Sequence, residues 1–123
     1  MFRRAIIKCS YEKKTEITIN TPRKTIKIDI LSIIYIEVSN HRLTYYSEMG
    51  KYEGWGSLKN IEKSFTSNGF AKANSSCLIN LRRVKELKGN EVKMEPGTII
   101  YLSRGQKKDF GRRFAEFTFG EEN

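Results

Sequence analysis

Ile33-Ile34-Tyr35-Ile36-Glu37-Val38-Ser39-Asn40-His41-Arg42-Leu43-Thr44-Tyr45-Tyr46 is the stretch that decides the fold. Its first six residues are mostly β-branched or aromatic, the composition of a strand packed in the middle of a sheet. Ser39-Asn40-His41 is a cluster of turn formers. From Arg42 to Tyr46 polar and apolar residues alternate, so the chain should return antiparallel to the first strand. The turn holds His41, the one histidine of the chain.

Working outward, the same period of two appears upstream. Glu16-Ile17-Thr18-Ile19-Asn20 and Lys24-Thr25-Ile26-Lys27-Ile28 alternate around Thr21-Pro22-Arg23, which reads as a leading hairpin. Asp29-Ile30-Leu31-Ser32 breaks the alternation and reads as a turn or a single helical turn. Downstream, Met49-Gly50 turns the chain into Lys51-Tyr52-Glu53-Gly54-Trp55.

Leu58, Ile61 and Phe65 then recur at helical spacing, with Ser57 placed to cap the first turn. Ser67-Asn68-Gly69 should end that helix near Thr66. Phe70 to Ser76 reads as a loop. Cys77-Leu78-Ile79-Asn80 reads as a short buried segment, and Val84–Leu87, Val92–Met94 and Thr98–Leu102 as strands.

The last element opens with Ser103-Arg104-Gly105-Gln106, where Ser103 and Gln106 form a capping-box pattern. Phe110, Phe114 and Phe117 make one apolar face of the helix that follows. Lys107, Lys108, Arg112 and Arg113 decorate its other face. The acidic end after Phe119 should fray. The fold class expected is mostly β: short strands in small stacked antiparallel sheets, with one or two short helices.

Composition narrows the function. The chain has 123 residues and fits one domain, with 38% hydrophobic and 30% charged residues. Lys and Arg number 23 against 14 Asp and Glu, a net charge of +9. Such a field attracts polyanions: DNA, RNA or an anionic membrane surface. The apolar runs are too short to span a bilayer, and residues 1–9 lack the marks of a signal peptide. Cys9 and Cys77 form no CxxC or zinc spacing, and Cys77 reads as a buried thiol, so the cytoplasm is the expected compartment.

An enzyme is not expected. No GxSxG, P-loop, GxGxxG or HExxH motif occurs, no cofactor or metal is implied, and the carboxylates Asp29, Glu37, Glu48, Glu53 and Asp109 are scattered. Nucleic-acid binding fits better, because positive and small polar residues cluster in three places. These are Asn40-His41-Arg42, Lys72-Ala73-Asn74-Ser75-Ser76 and Ser103-Arg104-Gly105-Gln106-Lys107-Lys108. Arginine and lysine donate to guanine O6 and N7, and asparagine bonds adenine. Serine hydroxyls and a helix N-terminus suit phosphate. The two helices lie too far apart in sequence for a helix-turn-helix, so loops must do any reading. The alternative is a basic β-rich module that binds protein or RNA without reading bases.

Three blocks, in order, resemble the LytTR family of bacterial DNA-binding domains across roughly residues 24–118. Asp29 to Leu43 is similar to the family's I-x-Y-I-E strand and loop histidine. Leu58 to Asn80 is similar to its L-x-x-I-E helix and F-x-R-x-H-x-S-[FY]-[IL]-[VI]-N stretch. Leu102-Ser103-Arg104 resembles its [IL]-S-R motif. The resemblance implies base contacts from His41, Arg104, Asn74 and Ser75. It implies phosphate contacts from Asn40, Arg42, Lys72, Ser76, Ser103, Gln106, Lys107 and Lys108.

Two departures stand out. Asn74 occupies a position where the family often has histidine, and Lys72 replaces arginine. The resemblance also implies loops in successive major grooves, bent DNA, and two copies on paired direct repeats of double-stranded DNA. The expected role is a transcription regulator in the cytoplasm, either alone or as the output unit of a two-component response regulator. A receiver or sensor partner would then lie outside these 123 residues.

Overall fold

A computed structural model describes residues 16–95 and 97–122. Its elements in chain order are β1 (Glu16–Asn20), β2 (Thr25–Asp29), a 3-10 turn (Ile30–Ser32), β3 (Ile33–Ser39), β4 (Arg42–Ser47) and β5 (Gly50–Trp55). Next come α1 (Leu58–Thr66), β6 (Phe70–Asn74), β7 (Cys77–Asn80), a second 3-10 turn (Leu81–Arg83), β8 (Val84–Lys88), β9 (Glu91–Met94), β10 (Ile99–Tyr101) and α2 (Lys107–Glu122). The strands form a β1–β2 hairpin, a five-stranded sheet ordered β5-β4-β3-β7-β6, and a three-stranded sheet ordered β10-β9-β8. Every strand pairing is antiparallel. The mostly-β expectation with small stacked sheets is what the chain adopts.

The central sheet divides two cores. On one side Ile19, Ile28, Ile30, Ile33, Ile36, Leu43, Leu58, Phe65, Phe70 and Leu78 pack together, joining the hairpin and α1 to the sheet. On the other, Ala71, Ala73, Cys77, Ile79, Val92, Met94, Leu102 and Phe110 join the three-stranded sheet and α2. β7 is buried along its whole length, and its side chains alternate between the cores: Leu78 to the first, Cys77 and Ile79 to the second. A register shift between Ile33 and Tyr35 breaks the period of two in β3. An extra residue in one strand re-aims those that follow. It lets Ile33 and Ile36, three apart, serve one core while Ile34 and Tyr35 serve the other.

Buried polar groups are satisfied locally. Asn80 is fully buried; its Nδ2 donates to the Ile33 carbonyl at 2.8 Å and its Oδ1 accepts from Arg82 N–H at 3.0 Å. Arg83 ties three segments together, donating to Glu48, to Glu95 and to the Leu31 carbonyl. Burial, with Glu37 nearby, pushes the Cys77 thiol far above its usual range, so it behaves as an inert core residue.

Several sequence expectations are corrected. Phe70–Asn74 is a strand, not a loop, because Phe70, Ala71 and Ala73 are buried against both cores. Ser57 sits at the N-cap of α1 with extended backbone, but its side chain makes no capping bond. The final helix runs from Lys107 to Glu122, starting after the Ser103–Gln106 segment. The part of the leading segment before Glu16, with Cys9, lies outside the described residues. Among the described residues, no helix is long and apolar enough to cross a membrane.

Candidate nucleic-acid interface

The β3–β4 connection is two residues long, since Ser39 pairs with Arg42. Asn40 and His41 both have positive φ, 52° and 64°. That is the geometry of a type I′ turn, whose twist matches a hairpin and which normally favours Asn-Gly. Histidine in the second position costs on the order of 1–2 kcal/mol of backbone strain. The turn holds it exposed at the tip, and the His41 carbonyl accepts from Gly56 N–H at 2.9 Å.

The β6–β7 connection also contains two residues. Asn74 pairs with Cys77, leaving Ser75 and Ser76 exposed at the tip. Asn74 shapes this turn. Its Oδ1 accepts from Ser76 N–H at 2.9 Å, and its Nδ2 donates to the Tyr101 carbonyl at 2.9 Å.

The third segment, Ser103–Gln106, links β10 to α2. Backbone bonds from Gln106 and Lys107 to the Ser103 carbonyl, both 3.0 Å, close it as a turn. Arg104, Lys107 and Lys108 are exposed on it, while Ser103 and Gln106 are half-buried.

Backbone pairing brings these three segments to one end of the central sheet. The Val38 N–H donates to the Ser76 carbonyl at 2.9 Å, joining the first turn to the second. The Ser103 N–H donates to the Ala73 carbonyl at 2.9 Å, joining the second to the third. With strands spaced about 4.8 Å apart, the first two tips lie on the order of 10 Å from each other.

The charges divide by their surroundings. Arg112 is bound to Asp109 and Glu116, and Arg113 to Asp109. The Arg112 hydrogen bond holds the Asp109 carboxyl below its usual range. Half the expected basic face of α2 is therefore neutralised within the helix. Lys72 lies on β6, not in a loop, with Nζ 3.8 Å from Glu62 Oε1 of α1.

Arg42 is held differently: its guanidinium lies over the Trp55 ring, 5.1 Å from the centroid. Trp55 is 63% exposed at the same end of the sheet, a residue that sequence reasoning passed over. The available signal was a tryptophan set between Gly54 and Gly56. Among the described residues, no group of three or more His, Cys, Asp or Glu is arranged to hold a metal.

The comparisons agree with this architecture. The fold is similar to the LytTr DNA-binding domain of a putative methyl-accepting/DNA response regulator from Bacillus cereus. The match has a TM-score of 0.72 at 16% identity and covers 80% of this chain and 95% of that one. No curated protein matches the sequence. The family model for the LytTr DNA-binding domain matches residues 23–115, from the β1–β2 turn into the last helix, and the chain belongs to that family.

Proposed function

We propose that this DNA-binding domain regulates transcription by presenting the loop-bearing end of its central sheet to promoter DNA. His41 and Arg104 read bases, with Ser75 between them. The observation that carries the reading is the chain of backbone bonds, Val38 to Ser76 and Ser103 to Ala73, that aligns the three segments. A hairpin tip is slim enough to enter a major groove. Asn40, Arg42, Ser76, Ser103, Gln106, Lys107 and Lys108 surround the three tips as phosphate contacts. Lys72, paired with Glu62, adds only general attraction. Asn74 acts mainly by fixing the Ser75–Ser76 turn, since both ends of its amide are engaged.

The family resemblance extends the reading. Two copies occupy paired direct repeats in successive major grooves and bend the DNA, in the cytoplasm, under control of a receiver or sensor. The role is non-catalytic.

Selection of bound duplexes from random DNA is the primary test. A recovered consensus supports base reading; recovery of no preferred sequence would leave only the alternative, a module that binds by charge.

His41→Gly separates function from folding. Glycine suits the positive φ, so this variant should melt at or above the temperature of the parent. It should nevertheless bind the selected duplex about tenfold or more weakly, by anisotropy titration. A lower melting temperature, or unchanged binding, would contradict the role given to His41.

The α2 lysines should behave otherwise. Replacing Lys107 and Lys108 with alanine should weaken binding equally on selected and scrambled duplexes. It should also flatten the salt dependence by about one unit of log–log slope for each phosphate that is no longer neutralised. Arg112→Ala should change the slope less, because Asp109 and Glu116 already hold that guanidinium. A loss confined to the selected duplex would move the lysines from phosphate to base contact.

A further inference from the structure

Trp55 is the one tryptophan of the chain and, among the described residues, a large apolar side chain left 63% exposed. A large ring left in water has a cost that burial elsewhere would remove. Its position is specific. Trp55 ends β5, directly paired with Arg42 on β4, and Arg42 follows the His41 turn. The next residue, Gly56, donates its N–H to the His41 carbonyl. Indole, guanidinium and recognition turn are therefore fixed to one another by neighbouring backbone bonds.

We propose that Trp55 and Arg42 form a composite clamp on the sugar–phosphate backbone of bound DNA, flanking the groove entered by His41. The indole packs on deoxyribose. The guanidinium, laid over the ring, donates to a phosphate oxygen. Stacking suits this task. It restricts the arginine to one orientation before DNA arrives, and a guanidinium on an aromatic face still carries N–H donors in its own plane.

Charge favours a backbone partner over an apolar one, because the patch is an arginine on an aromatic ring in a protein of net charge +9. Glu53 lines both of the clefts that Arg42 lines, one of them together with Trp55, and opposes a phosphate inside them, so the contact belongs to the exposed indole and the guanidinium over it rather than to either cleft. The clamp rests on the DNA-facing assignment of this end of the sheet.

Because there is no second tryptophan, intrinsic fluorescence reports on this site without a label. Adding duplex DNA to the full chain should shift Trp55 emission and protect it from acrylamide quenching, on selected and scrambled duplexes alike. Trp55→Ala should weaken binding to a labelled duplex about three- to tenfold, as expected for loss of an aromatic–cation platform. The loss should be equal on both duplexes, and Trp55→Phe should recover most of it. Circular dichroism of each variant should match the parent, since the side chain is largely outside the core.

Binding seen by anisotropy with no change in quenching, or Trp55→Ala binding as the parent does, would overturn the clamp and leave the DNA-facing assignment intact. No binding to any duplex would overturn both. Loss only on the selected duplex would make Trp55 a base contact and likewise overturn the clamp.

Discussion

Replacing Phe110 with alanine is expected to destabilise the domain by about 3–5 kcal/mol, the range for deleting a buried aromatic ring. Phe110 is fully buried, one turn into α2, and stacks on Phe114 with ring centroids 6.5 Å apart. It closes the core formed by Ala71, Ala73, Ile79, Val92 and Leu102. Small residues at Ala71 and Ala73 let the helix approach β6 closely, so the surroundings have little bulk with which to refill the cavity.

A domain of this size has about 5–15 kcal/mol of stability in total. The loss should lower the melting temperature by roughly 12–20 °C. Function should suffer with it: the Phe110 N–H donates to the Gln106 carbonyl, so loosening this turn of helix also loosens the Arg104 segment. Phe119→Ala, on the same helix but 66% exposed, should stay within about 0.5 kcal/mol of the parent. Thermal denaturation of the two variants decides the matter. If both melt with the parent, α2 is not anchored as described.

Phe110 was legible in the sequence for the same reason that much of the fold was. The apolar period of α2 placed Phe110, Phe114 and Phe117 on one face, and all three pack against the second core. The alternation in 16–20 and 24–28 likewise gives the observed hairpin, with Ile17 opposite Ile28 and Ile19 opposite Ile26.

What the sequence hid was structure created by neighbours. Phe70-Ala71-Lys72-Ala73-Asn74 has little β-propensity, and only pairing with β7 and cover from α2 and β10 make it a strand. Propensity yields to tertiary context most easily in such short segments.

The candidate site divides along the same line. His41, Ser75 and Arg104 were visible as polar residues in turns. Their alignment depends on backbone bonds between residues 38 and 76 and between residues 73 and 103, and no local pattern encodes those. Sequence also could not show which charges are already spent. Arg112, Arg113 and Lys72 looked equivalent to Lys107 and Lys108 until their carboxylate partners were placed. The overlooked Trp55 belongs to this class, because its exposure is a property of the sheet edge rather than of its neighbours in sequence.

Arg104→Ala is expected to cost about 1–3 kcal/mol on the selected duplex, about 5- to 150-fold in affinity. Arg104 is exposed on the Ser103–Gln106 turn, and among the described residues its guanidinium makes no hydrogen bond or ion pair. Removing it therefore takes nothing from the fold, and the melting temperature should be unchanged. On a scrambled duplex the loss should be only that of one positive charge.

Arg104→Lys sharpens the test. Lysine keeps the charge but lacks the planar fork that meets guanine O6 and N7 together. It should bind scrambled DNA as the parent does and lose most of the discrimination on the selected duplex. Equal losses for Arg104→Ala on both duplexes would reduce Arg104 to a phosphate contact. A lysine variant indistinguishable from the parent would do the same, leaving His41 as the chief reader of sequence.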